Sequence, residues 1–415
     1  MSSVIPDDIV DKATPEAPRR PKRHSPIFLA VFAVFIFVTT LCAIATVLGV
    51  TITNLTTHDT LCFWTSGRLL IHGQNPYDRE AVSRIESELG FKVNYQDVFM
   101  TREPPTALFL MAPLGLIRAR AGVIAWGLLL AGCLYFSVDS IKAMLNGPYE
   151  RSLLWLPWFF APAMACIETG QTALIVLLGL TLFLRFRQSR PFWAGVALSL
   201  CAVKPHLLLP FGVVLLVWAV VRRKWTILAG AVIACAVESG IPMLFDRAVW
   251  PHYFAAMRTE SIADEFVPTL GTGLRFLVDQ RAMWLQFFPA ALGCAWALWY
   301  FWRNREKWDW RTHGSLLALV SLMVAPYSWL TDSAIAIPAI LFAFLGAAPP
   351  RRGSLTLLLA LMCAAAADML TTSIFYYKPN LLAGIAWLLW YLYATSGQKM
   401  SMNSTTREQK EFLSL

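Results

Sequence analysis

Charge is scarce in this sequence. Only 15% of its 415 residues are Asp, Glu, Lys or Arg, against about a quarter in a soluble globule of this size. That shortage excludes an ordinary solvated domain. The eight cysteines form no CxxC pair, and most lie inside apolar blocks. A zinc cluster and a disulfide framework are therefore not expected, and the thiols are read as small core residues. No Gly-rich phosphate loop is present, no repeat recurs at solenoid spacing, and no inverted pair of halves stands out. A cleavable leader is not expected either, and the first block is read as a retained span. The first apolar block, 27–52, is too long for a signal-peptide core, and no small-residue cleavage site follows it.

What is there is apolar. Hydrophobic residues make up 57% of the chain, in blocks recurring from 27 to 395, among them 152–167, 225–245 and 284–302. Many of these blocks reach the roughly 20 residues that cross a bilayer as helix. The expected fold is all-α: one polytopic membrane domain over 25–395, with about twelve full spans and one partial helix at 105–117. Tails at 1–24 and 396–415 are placed in the cytoplasm. The formal charge of +9 comes largely from Arg and Lys in short turns such as 185–190, 222–224, 303–311 and 351–352. This is the positive-inside pattern rather than a nucleic-acid surface. With those turns inside, the outer face carries two larger loops, 53–104 and 246–282. Segments 60–71 and 78–89 of the first loop have helical spacing and suit interfacial helices, the second setting Glu80, Arg84, Glu86 and Glu88 against Ala81, Val82, Ile85 and Leu89. Gly73, Asn75 and Pro76 mark the turn between them.

The topology makes polar groups converge. Asp59, Arg102, Glu103, Glu168, Gln171, Lys204, His206, Tyr327, Asp332 and Lys378 all fall at outer ends of apolar blocks. Ionisable residues at such depth face a bundle interior or a cavity, and the set suits a charged lipid head group or an acceptor hydroxyl. Plainer readings stand beside that one. Asp59 and Asp332 are each placed to cap a following helix. Arg102 and Glu103 are placed to form a local ion pair, and Lys204 to snorkel. His72 and Asn75 read as turn formers, and Trp155, Trp158, Trp299 and Tyr300 as an interfacial belt. Asp264 and Glu265 suit a cation or a sugar.

Several strings occur in a telling order: Asp59 with Phe63-Trp64 and Gly67-Arg68; Gly73-Gln74-Asn75-Pro76-Tyr77-Asp78; Pro104-Pro105-Thr106; Gly170-Gln171-Thr172-Ala173; Lys204-Pro205-His206; and Asp332 ahead of Ile337-Pro338. Over residues 55–340 this set resembles glycosyltransferase family 87. These are membrane enzymes of the GT-C class that use polyprenyl-phosphate sugars, among them mycobacterial mannosyltransferases acting on phosphatidylinositol mannosides. The resemblance implies a GT-C-type helical bundle at the plasma membrane with its site toward the outer, periplasmic side. It implies inverting transfer of a sugar, mannose by that likeness, from a polyprenyl-phosphate donor to a lipid or glycan acceptor. Membrane lipids surround the enzyme, and neither metal, cofactor nor nucleic acid takes part. Asp59 is then the catalytic base. Lys204, His206, Arg102 and Lys378 are the donor-phosphate ligands, and Glu103, Glu168, Gln171, Tyr327 and Asp332 bind sugar or acceptor. His58 and His206 depart from the family pattern. A transporter or flippase without chemistry, and an assembly factor with a degenerate site, are the competing readings. Polar groups gathered on one side, rather than at the midplane, favour the enzyme.

Overall fold

A computed structural model describes residues 59–89, 100–145, 151–259, 262–371 and 381–396. The expected first span at 27–52, the tails at 1–24 and 397–415, His58 and Lys378 lie outside the described residues. Those described form helices and their connections, with no strand among them. In chain order the helices are α1 (Asp59–Ile71), α2 (Arg79–Glu88), α3 (Pro105–Gly115), α4 (Ala119–Met144), α5 (Ala161–Thr169), α6 (Ala173–Phe186), α7 (Pro191–Ser199), α8 (Leu209–Val221), α9 (Trp225–Met243), α10 (Val249–Thr259), α11 (Leu270–Val278), α12 (Trp284–Asn304), α13 (Thr312–Val324), α14 (Ile337–Gly346), α15 (Pro349–Thr371) and α16 (383–396).

The all-α expectation holds, but the count of about twelve full spans does not. Among the described residues only α4 and α9 are long and apolar enough to cross a bilayer. A third crossing is available if Pro191–Val203 and Pro205–Val221 form one span, and these two pieces bend by 117° at Lys204. The apolar pieces Pro105–Gly115, Ala173–Phe186, Thr312–Val324 and Leu330–Gly346 are only 10–17 residues long. At 1.5 Å rise per residue a 14-residue helix covers roughly 21 Å, short of a hydrocarbon core of about 30 Å. Apolar composition read these blocks as crossing or partly crossing helices; they are helical, but a buried helix is not the same as a crossing one. The expected block 152–167 is divided at Phe160 into a 3-10 stretch, Arg151–Phe159, and α5. Pro157 lies inside the first piece, where it removes a backbone donor. The chain remains a multi-pass membrane-associated protein.

Three contacts bring the front of the bundle together. Helix α1 lies against α3 so closely that a Cβ on Gly67 would sit 2.0 Å from the Met111 carbonyl oxygen. Side chains of α1 also satisfy carbonyls at the C-terminal end of α3: Arg68 Nη1 donates to Gly115 O at 3.0 Å, and Trp64 Nε1 to Ile117 O at 2.9 Å. Thr106, in the first turn of α3, donates to Ala202 O at 3.2 Å, at the break between α7 and α8. Cys166 of α5 reaches Thr331 O at 3.2 Å, on the 3-10 stretch Leu330–Ala336. Distant segments thus meet near Asp59, Lys204 and Asp332.

The first loop contains both expected helices, α1 and α2, within a residue of the expected bounds. Helix α1 is not interfacial, because residues 60–67 are all buried. Helix α2 starts on Asp78, whose side chain accepts from the backbone N–H groups of Glu80 and Ala81. It buries Ala81 and Val82 as its spacing predicts. It also buries Glu86, which the amphipathic pattern assigned to the polar face.

Candidate functional site

The site is assembled around Gly170. This residue ends α5 with φ +85°, in the left-handed region, and a Cβ there would sit 2.0 Å from Thr60 Oγ1. Only glycine combines that backbone angle with so close an approach. Trp126 Nε1 donates to Gly170 O at 2.7 Å and fixes the turn from the α4 side. The next residue, Gln171, is thereby set beside the start of α1, and its amide Nε2 donates to Asp59 Oδ2.

From Gln171 the network continues inward. Lys204 Nζ donates to Gln171 Oε1 at 2.5 Å and to Asp332 Oδ1 at 3.0 Å. Lys204 is 4% exposed and Asp332 is fully buried. The lysine stands at the sharp break between α7 and α8, so its charge points into protein, and snorkelling is ruled out for it. Asp332 does not cap the helix that follows it, Ile337–Gly346, as one reading had it: it lies within Leu330–Ala336, and its Oδ2 accepts from Trp329 N at 2.8 Å at the start of that stretch. This hydrogen bond and the ion pair use different oxygens. Thr331 Oγ1 is buried with no hydrogen-bond partner among the described residues.

Glu103 lies alongside, 9% exposed. Its oxygens accept from Thr172 Oγ1 and Thr101 Oγ1, each at 3.2 Å, and its own carbonyl accepts from Tyr77 OH at 3.0 Å. Two threonines stabilise a carboxylate far less than a cation does. Three carboxylates, on Asp59, Glu103 and Asp332, thus share one ammonium. Asp59 takes the consequence. Burial, then Glu103, push its carboxyl from the ordinary aspartate range up to about 7, with Asp332 adding to the rise; Lys204 and the Gln171 hydrogen bond pull the other way. An acid poised near neutrality can both accept and release a proton.

Arg102 does not pair with its neighbour Glu103. It forks onto Glu265, with Nη1 to Oε2 at 2.8 Å and Nη2 to Oε1, and Nη1 also donates to Tyr327 OH at 3.3 Å. Trp329 Nε1 donates to the same phenol at 3.0 Å. This group forms a rim: the Arg102 and Glu265 side chains are 28% and 35% exposed. His206 packs edge-on against Tyr327 with ring centroids 5.7 Å apart, and its Nε2 is buried with no hydrogen-bond partner among the described residues.

Of the residues expected at the site, Asp59, Gln171, Lys204 and Asp332 form one hydrogen-bonded chain, with Glu103 beside it. Arg102, Tyr327 and His206 form the rim. Glu168 stands apart, exposed on the last turn of α5. Other participants were not linked to this site by the sequence. Glu265 was visible as an acidic position, yet its partner lies 163 residues away. Thr101 and Thr172 carry no signal beyond adjacency to better candidates. Arg275 of α11 is fully buried and donates to the carbonyls of Ile262, Ala263 and Glu265 at 3.1, 2.7 and 3.2 Å. It folds the second loop so that Glu265 faces Arg102. No spacing in the sequence announces that.

Compared with known proteins, residues 103–326, more than half of the chain, match the model of Glycosyltransferase family 87. Asp59 and Asp332 lie outside the matched segment. No curated protein and no solved structure matches the chain.

Proposed function

The chain belongs to glycosyltransferase family 87 and is an enzyme of that class, working with lipid-linked sugars; we propose that it moves a sugar from a polyprenyl phosphate to a hydroxyl of a lipid or glycan acceptor, with inversion and with Asp59 as general base. The observation that carries this reading is the Asp59 carboxyl, held by Gln171 within a buried cluster of acids and brought near neutrality. In the transfer, the acceptor oxygen attacks the anomeric carbon while Asp59 takes its proton. The bond from that carbon to the phosphate oxygen breaks, and the electron pair leaves on the polyprenyl phosphate. Such a leaving group is already ionised, so no general acid is required. It does need cations and N–H donors as negative charge gathers on it. Arg102 on the rim is the group best placed for the phosphate, exchanging Glu265 for it. His206, with its orphaned Nε2, and Lys204 complete the set, and Lys378 is retained with them. Glu103, Tyr327 and Asp332 serve the sugar and acceptor hydroxyls, and Glu168, exposed on the last turn of α5, is offered to the acceptor. By the family resemblance the sugar is mannose and the site opens to the outer, periplasmic side of the plasma membrane.

Replacing Asp59 by Asn tests this in purified protein supplied with polyprenyl-phosphate mannose and a lipid acceptor. A loss of turnover of about 100- to 10,000-fold is expected, with unchanged elution and melting. Undiminished turnover in a folded Asn variant removes Asp59 as the base.

A further inference from the structure

Gln171 has little freedom in how its amide points. An ammonium has only donors to offer, so Lys204 Nζ must meet the carbonyl Oε1, as it does at 2.5 Å. An ionised carboxylate only accepts, so Asp59 Oδ2 must meet the amide nitrogen. Turning the amide round would set –NH2 against an ammonium and C=O against a carboxylate, two repulsions in place of two attractions. The backbone is held on both sides as well. Trp126 pins the Gly170 carbonyl, and the Thr172 hydroxyl is tied to Glu103.

We propose that Gln171 is a positioning residue of this site: held carbonyl-first by Lys204, it donates its amide N–H to Asp59, fixes the orientation of that carboxylate and favours its charged form. The inference rests on Asp59 being the base. It moves Gln171 from touching sugar to acting through Asp59. The charged and titratable groups facing Asp59 come from several elements: Glu103 ahead of α3, Lys204 at the break between α7 and α8, Asp332 on Leu330–Ala336, Cys62 on α1 and Cys166 on α5. Burial keeps both thiols neutral. Glu103 and Asp332 disfavour the charged carboxylate, while Lys204 favours it. Among these described neighbours, Gln171 is the neutral group that also favours it, and it does so without adding charge near an anionic donor.

The test reads Asp59 directly and needs no sugar. Dicyclohexylcarbodiimide reacts with protonated buried carboxyls, and labelling of Asp59 is followed by peptide mass spectrometry from pH 5 to 9. Gln171→Met keeps the side-chain length and loses the N–H; Gln171→Leu is a second apolar variant, read in the same way. The labelling midpoint is expected to rise by about one pH unit or more on loss of a hydrogen bond to a charged group, at unchanged elution and melting. A midpoint equal to wild type, in whichever variant keeps wild-type melting, overturns the inference. The two claims fail separately. Turnover surviving Asp59→Asn removes the base and leaves the labelling shift standing. Turnover lost in Asp59→Asn with no labelling shift removes only the role of Gln171.

Discussion

Two ion pairs in this protein have the same chemistry and opposite surroundings. Lys204–Asp332, 3.0 Å apart, has side chains that are 5% and 0% exposed, whereas those of Arg102–Glu265 are 28% and 35% exposed. The first is tied into the packing: Lys204 also holds Gln171, and Asp332 also holds the start of a 3-10 turn. The second joins two loops at the rim, and Glu265 holds the Arg102 guanidinium firmly in its charged form. The buried pair is therefore fixed in the packing beside Asp59, the proposed base. The rim pair is an exchangeable contact, one anion standing where another is proposed to bind.

That contrast is broken most sharply at Asp332. Asp332→Ala leaves an ammonium buried without its counter-charge and is expected to cost about 3–5 kcal/mol, read as a large drop in melting temperature of the purified protein. A drop no greater than that of a surface variant would mean that water reaches Lys204 freely. Glu265→Gln is expected to cost no more than about 1 kcal/mol, as exposed pairs do. Its effect falls on substrate binding instead. With Arg102 released, KM for the lipid-phosphate donor should fall while kcat changes little, as measured by steady-state turnover. A raised KM would make Glu265 part of the binding surface rather than its competitor.

The sequence could be read well in some places and poorly in others, for identifiable reasons. Helix positions followed apolar blocks closely: 225–245 was expected and α9 ends at Met243, and 284–302 was expected and α12 ends at Asn304. Span count failed because hydropathy measures burial, and a helix such as α6 is buried by its neighbours without being long enough to cross. Asp59, Gln171, Lys204 and Asp332 could be found because ionisable or amide groups at the ends of apolar blocks are costly without a task. Their order in the chain of hydrogen bonds could not. Gln171 owes its bridging position to the turn at Gly170 and to the 117° bend at Lys204, which are three-dimensional facts. The pairing of Arg102 with Glu265 depends on Arg275 shaping a distant loop, and local reading offered only the adjacent Glu103 as its partner.

The central claim is that Asp59 accepts the proton of the attacking hydroxyl. As the base it works only when ionised, and burial with Glu103 places its carboxyl at about 7. The most direct measurement is kcat/KM for the acceptor across pH 5 to 9. The account predicts a value that rises with pH and levels off above a midpoint near 7. A profile flat across pH 5 to 8, or one falling through that interval, contradicts it.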